Sequence, residues 1–294
     1  MRIAIFGATG CIGRNLIDAF NTTQDKIIAF YRNEPGIERI NLSWVKYDLN
    51  SDDDLSEYLK GVELVYYLIH SLDHKEFFHQ ESVYAQKVNQ ACVAVGCKKI
   101  IYLGGIIQIN TRLSDHLKSR MLTGKYLAAN GVNVLELRAS IVLAQCSTSY
   151  QIIKNLATRL PVMIVPKWLN NHCSPIYIAD LIEVLMNSRN DRILGHMKMD
   201  VGTEPITYSV LIQRLRSKYK GSTTKIFTTP YIALGPSAFW IWLIARVNYQ
   251  IAKNLTLSLI DDTSTSSQTL SILLGRSPTT LDTALDLMIN EEDL

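Results

Sequence analysis

The sequence has no CxxC pair, no dense Lys/Arg block, and no apolar run of the about 20 residues that a bilayer span requires. Its five cysteines, Cys11, Cys92, Cys97, Cys146 and Cys173, are odd in number and sit in apolar stretches. A disulfide framework is therefore not expected, and a reducing, cytoplasmic location is. Charged residues make up only 19% and the formal net charge is +3, which offers nucleic acid no electrostatic footprint. No GxSxG elbow and no Walker sequence occurs, so acyl and phosphoryl transfer have no support. The N-terminal apolar run is broken by Gly7, Gly10 and Gly13 and followed by Asp18, unlike a signal peptide. The longest uncharged aromatic stretch, 231–245, contains Gly235 and Pro236 and is too short to cross a membrane.

What is present points to a folded α/β chain. Hydrophobic residues are 47% of 294, enough for a large core and about two domains' worth of chain. Short apolar runs at 2–6, 26–31, 44–47, 63–69, 99–103 and 134–142 alternate with longer amphipathic ones. Their near-continuous apolar character predicts parallel strands covered on both faces. Ser51 before Asp52, Asp53 and Asp54 predicts a capped helix running to Lys60. Longer helices are predicted at 75–95, stopped by Gly96, and at 114–129, stopped near Gly131. Beyond 142 the rhythm loosens, with helices expected at 149–159, 180–188 and 208–218 and a late strand at 198–201. The expected fold is a doubly wound parallel sheet. A dinucleotide-binding domain would cover 1–146, and a smaller substrate lobe, 147–294, would interleave with the sheet edge.

Residues 7–13 read GATGCIG, directly after the first strand and directly before an amphipathic helix. Glycines allow a tight turn and close approach to a pyrophosphate, and a helix N-terminus offers unpaired N–H groups to that anion. Gly7, Thr9, Gly10, Cys11, Ile12 and Gly13 are the expected loop contacts, with Cys11 a bystander shielded by cofactor. The second strand ends Tyr31-Arg32. A cation there suits a 2′-phosphate, whereas NAD sites carry an acidic residue. Arg32 is placed on the phosphate and Tyr31 beside the adenine, so NADP is expected over NAD. The plain alternative is a solvated Arg32.

GATGCIG, FYRN, VKYDL, VYYLIHS and IYLGG occur in the order and spacing of the atypical short-chain dehydrogenase/reductases. The chain resembles their NmrA-like members and relatives of the nucleotide-binding accessory subunit of respiratory complex I. ELRASIVLA, LPVMIVPKW and SPIYIADL extend the likeness to about residue 205. The resemblance implies a Rossmann fold, with Asp48 at the adenine edge and Leu49 lining its pocket. It also implies that backbone at Leu68, Ile69 and His70, and at Leu103 and Gly104, faces the ribose and nicotinamide.

The departure from that family concerns catalysis. Active members carry a Ser or Thr after the fifth strand, then a Tyr and a Lys four residues apart on the next helix. Here Gly105 stands at the first position, and His116 and Arg120 at the other two. One turn apart they share a helix face, and an imidazole ordinarily titrates near neutrality. The plain alternative makes them polar residues of that face. Tyr150–Lys154 and Tyr249–Lys253 also fit YxxxK but fall outside the family's catalytic helix, although Tyr150 could border the substrate. His70, His74 and His79, near Asp73 and Glu76, lack a metal-ligand spacing, and no metal is expected. Trp168, His172 and Cys173 are further candidates to reach the pocket. The apolar run 238–245, with Trp240 and Trp242, fits core, pocket wall or contact patch.

The expected function is an NADP(H)-dependent oxidoreductase or isomerase acting on a small hydrophobic quinone or carbonyl compound. The rival is an NADP(H)-binding sensor or assembly protein without turnover. Peripheral membrane contact and a homo-oligomer stay open.

Overall fold

The computed structural model describes residues 1–70, 77–108, 114–160, 162–229 and 261–292. Six parallel strands come from the N-terminal half: β1 (Arg2–Phe6), β2 (Lys26–Tyr31), β3 (Leu42–Lys46), β4 (Leu64–Tyr67), β5 (Lys99–Gly105) and β6 (Asn133–Ala139). The strand His196–Val201 pairs in parallel with β6 and completes a seven-stranded sheet. Its order is His196–Val201, β6, β5, β4, β1, β2, β3. The order reverses between β1 and β4, and the strands of that pair are buried along nearly their whole length.

Alternation along β1 shows why the sheet needs helices on both faces. Ile3 and Ile5 join one apolar cluster with Leu16, Ile17 and Phe20 of α1 (Cys11–Phe20). Ala4 and Phe6 join the other, with Tyr84, Val88 and Cys92 of α3 (Phe77–Ala94). Each such large side chain stabilises the fold by about 1.5–3 kcal/mol. The first cluster extends through α6 (Ile178–Asn187), which packs on α1, and through α5 (Thr148–Arg159) and α7 (Tyr208–Lys220), which pack on each other. The second receives α2 (Leu55–Tyr58) and the end of α4 (Asp115–Leu127). The fold is a doubly wound α/β sheet.

Local chemistry moved several expected boundaries. Asp54, not Ser51, caps α2, accepting from the Ser56 amide at 2.9 Å. The preceding residues are taken up by a turn in which Asp48 Oδ1 accepts from Asn50 N. The amide of Ser51 donates to the Asp48 carbonyl. Strand β3 begins at Leu42, and β4 ends at Tyr67. Ser147, rather than a later residue, caps α5.

The C-terminal part is pinned by Asp180, fully buried in the first turn of α6. It accepts from the Thr279 amide and hydroxyl at 2.7 and 2.9 Å and pairs with Arg276 at 2.8 Å. Among the described residues no helix is long and apolar enough to cross a membrane. The run 238–245, Tyr249–Lys253, and His74 with Asp73 and Glu76 lie outside the described residues.

Candidate functional site

The C-terminal ends of β1, β2, β4, β5 and β6 converge on a cavity of about 650 Å³ at the strand-order reversal. Doubly wound sheets place ligands in that crevice, and its size lies within the usual range for small-molecule sites.

The glycine loop forms one wall. Gly7 has φ +81°, and a Cβ there would meet the Leu68 carbonyl carbon and oxygen at 2.8 Å. The loop can therefore lie against the end of β4 only with glycine at this position. The Gly10 amide closes the turn onto Gly7 O at 3.0 Å. Gly10 then caps α1 with no side-chain bond, and the first turn of α1 carries no acidic residue. The helix thus presents uncompensated positive N–H ends to the cavity, where a pyrophosphate fits.

At the end of β2, Tyr31 and the exposed Arg32 line the same cavity, together with Asp48 and Leu49. Arg32 makes no ion pair with a described residue, which leaves its guanidinium available to an anion. Leu68, Ile69 and His70, and Leu103 and Gly104, line the cavity at the ends of β4 and β5. Every residue expected at the cofactor lines this one cavity.

His116 and Arg120 reach it from α4. Ser114 caps this helix and accepts from Leu117 N at 3.4 Å. Arg120 is buried, donates to Ile69 O at 3.0 Å and lies over the Tyr102 ring. His116 is half-buried, its ring centroid 4.9 Å from that of His70. Its Nδ1 is enclosed without a hydrogen-bond partner among the described residues. Burial above all, then the nearby His70 and Arg120 charges, hold its pKa well below the ordinary imidazole value. The expectation that this imidazole titrates near neutrality is corrected: desolvation keeps it neutral.

Several other expectations are also corrected. Tyr150 does not line the cavity; it is fully buried, and its hydroxyl meets that of Tyr219 at 2.9 Å. The start of α5 instead presents Ser147, Thr148 and Ser149 to the cavity. Cys173 is buried and His172 pairs with Asp262 at 3.5 Å, and neither lines it. Trp168's side chain lies outside the described atoms. Cys11 is no free bystander, because a disulfide joins it to Cys146 at the cavity wall. The partners are 135 residues apart, so local spacing could not reveal them, and the argument for a reducing compartment fails for this pair.

Two functional candidates escaped sequence reasoning: Glu81 and Ser119. Glu81 is 1% exposed and accepts from Ser119 Oγ at 2.5 Å. Its helical spacing to buried Tyr84, Ala85 and Val88 was a readable signal that this carboxylate faces inward.

Residues 7–153 match the NAD(P)H-binding family, which covers half of the chain, and the chain belongs to that family. No curated protein matches. Among solved structures, an NADPH-dependent quinone oxidoreductase from Escherichia coli is similar at 20% identity and TM-score 0.77, covering 98% of this chain and 100% of that one. A Citrobacter sp. triphenylmethane reductase complexed with NADP(H) gives 18% and 0.76, covering 98% and 100%. A nucleoside-diphosphate-sugar epimerase from Staphylococcus aureus gives 18% and 0.75, covering 97% and 99%. These likenesses show the shared fold.

Proposed function

We propose that the protein is an NADP(H)-dependent oxidoreductase acting on a small hydrophobic carbonyl or quinone compound. One observation carries this reading: the glycine loop, Arg32 and the His70–His116–Arg120 group all line a single cavity. Gly7 to Gly13 and the start of α1 would hold the pyrophosphate, Arg32 the 2′-phosphate, and Asp48 and Leu49 the adenine. The reduced nicotinamide supplies a hydride when bound. The chain's own contribution is to orient the acceptor oxygen at His116 and Arg120 and to shield that end behind the starts of α4 and α5. The reductase neighbours support the same reading. Residues 1–146 would bind dinucleotide, and 147–294 would shape the substrate side.

A sensor without turnover is the second reading, and Gly105 favours it. A Cβ at this position would meet Leu117 Cδ2 at 3.0 Å, so the serine of active relatives has little room. Stopped-flow oxidation of bound NADPH against a panel of quinones and carbonyls separates the two. The oxidoreductase reading expects acceptor-dependent loss of NADPH absorbance; tight binding with no acceptor-dependent oxidation would leave the sensor.

A further inference from the structure

The two imidazoles at the cavity end have different surroundings. His70 follows the end of β4 and lines the cavity with a side chain 30% exposed. Its Nδ1 lies 3.2 Å from Oε1 of Glu81, a buried carboxylate of α3. Burial alone would push the Glu81 pKa up. The His70 hydrogen bond, the Arg120 and His70 charges and the Ser119 hydroxyl outweigh it and hold the carboxyl well below the usual range. Glu81 is thus an anion at neutral pH. A buried anion in contact with an imidazole favours its protonated form, and bonding at Nδ1 directs Nε2 away from the carboxylate. Among the described residues no carboxylate hydrogen-bonds His116, and burial keeps it neutral. Groups whose surroundings push their protonation apart in this way mark out the acid of a site.

We propose that His70, oriented by Glu81, is the catalytic acid of this cavity and hands its Nε2 proton to the oxygen of a carbonyl or quinone acceptor, which His116 also hydrogen-bonds. The proposal rests on the oxidoreductase reading above and narrows its substrates to acceptors that need a proton as well as a hydride. In the balanced step the acceptor gains a hydride from the reduced nicotinamide and one proton from His70, so a carbonyl C=O becomes CH–OH and a quinone becomes its hydroquinone. The oxidised nicotinamide is the by-product, and water at the exposed edge of His70 restores its proton. Glu81 is a positioning residue, because it acts through His70. Among the described residues, the charged and titratable groups facing His70 are Glu81 from α3 and His116 and Arg120 from α4.

The test compares the unmodified protein with Glu81→Gln, which keeps the shape but removes the charge, and with His70→Gln, at a partly exposed position. Imidazole resonances are titrated by NMR without cofactor, and kcat is followed against pH with NADPH and a carbonyl or quinone. In Glu81→Gln the His70 midpoint should fall by about one pH unit or more. The alkaline limb of kcat should fall with it while NADPH affinity is unchanged. His70→Gln should lower kcat by about 10²–10⁴-fold. An unmoved midpoint or limb, or full activity in His70→Gln, overturns the proposal and leaves the oxidoreductase reading standing. If the unmodified protein binds NADPH but reduces no acceptor, that reading fails and the proposal falls with it.

Discussion

Cys11, the first residue of α1, is bonded to Cys146, which stands just before the cap of α5. The bond ties the glycine loop to the segment that leads into α5, and both cysteines line the cavity. Asn15 reinforces the junction, donating from Nδ2 to Cys11 O at 2.8 Å.

Closing a loop of this length restricts the unfolded chain strongly. Cys146→Ser should cost about 2–4 kcal/mol of stability, read from the denaturation midpoint. Thiol alkylation after unfolding without reductant should label Cys92, Cys97 and Cys173 alone, the three cysteines outside the bond. Labelling of all five would show that the bond is absent from the isolated protein.

Arg32 lines the cavity at the end of β2 and makes no ion pair with a described residue, so its charge is available to an anion. Arg32→Glu should cut the preference for NADPH over NADH by about 1–3 kcal/mol, the range of a charge-assisted hydrogen bond. Calorimetry with both cofactors measures it. Equal affinities in the unmodified protein would refute the assignment.

Gly7 combines a positive φ with contact against the Leu68 carbonyl. Gly7→Ala should cost about 1–2 kcal/mol from the backbone conformation alone, with more from the clash. NADPH affinity should fall with it, since the loop must move. A variant with unchanged stability and affinity would contradict the close packing.

Neutral His116 gives stability a pH dependence of known sign. Its folded pKa is depressed, so below an unfolded value of about 6.5 the unfolded chain binds a proton that the folded chain refuses. Stability from this residue is complete above that value and declines as pH falls, by up to about 1.4 kcal/mol per pH unit. His116→Gln should flatten the profile between about pH 6.5 and 5. Parallel profiles for the two proteins would show that His116 charges freely when folded.

Tyr150 serves packing. Tyr150→Phe removes one hydroxyl contact with Tyr219 and should cost about 0.5–1.5 kcal/mol while leaving NADPH oxidation unchanged. Loss of turnover in a stable variant would return Tyr150 to the site.

The glycine loop was legible because its requirements are local. Strand, turn and helix N-terminus occupy consecutive residues, and the φ and N–H demands fall within GATGCIG itself. The sheet was legible for a similar reason, since strands buried on both faces must be apolar at nearly every position. Tyr31 and Arg32 were expected from the end of β2, and Asp48 and Leu49 from the family resemblance, and all four line the cavity.

Pairings between distant segments depended on the assembled fold. Whether Cys146 meets Cys11 depends on how the chain after β6 crosses the sheet end. How each imidazole is surrounded depends on Glu81 arriving from α3, because burial and a neighbour's charge act on protonation while residue type alone does not. Tyr150 fits the spacing of a catalytic tyrosine, yet its place one turn into α5 turns it to the core. Sequence by itself determined the sheet, the loop and the class of cofactor, all set by neighbouring residues and apolar periodicity. Tertiary structure alone decided the disulfide, the neutrality of His116 and the company of His70, because contact and desolvation arise only when remote segments pack together.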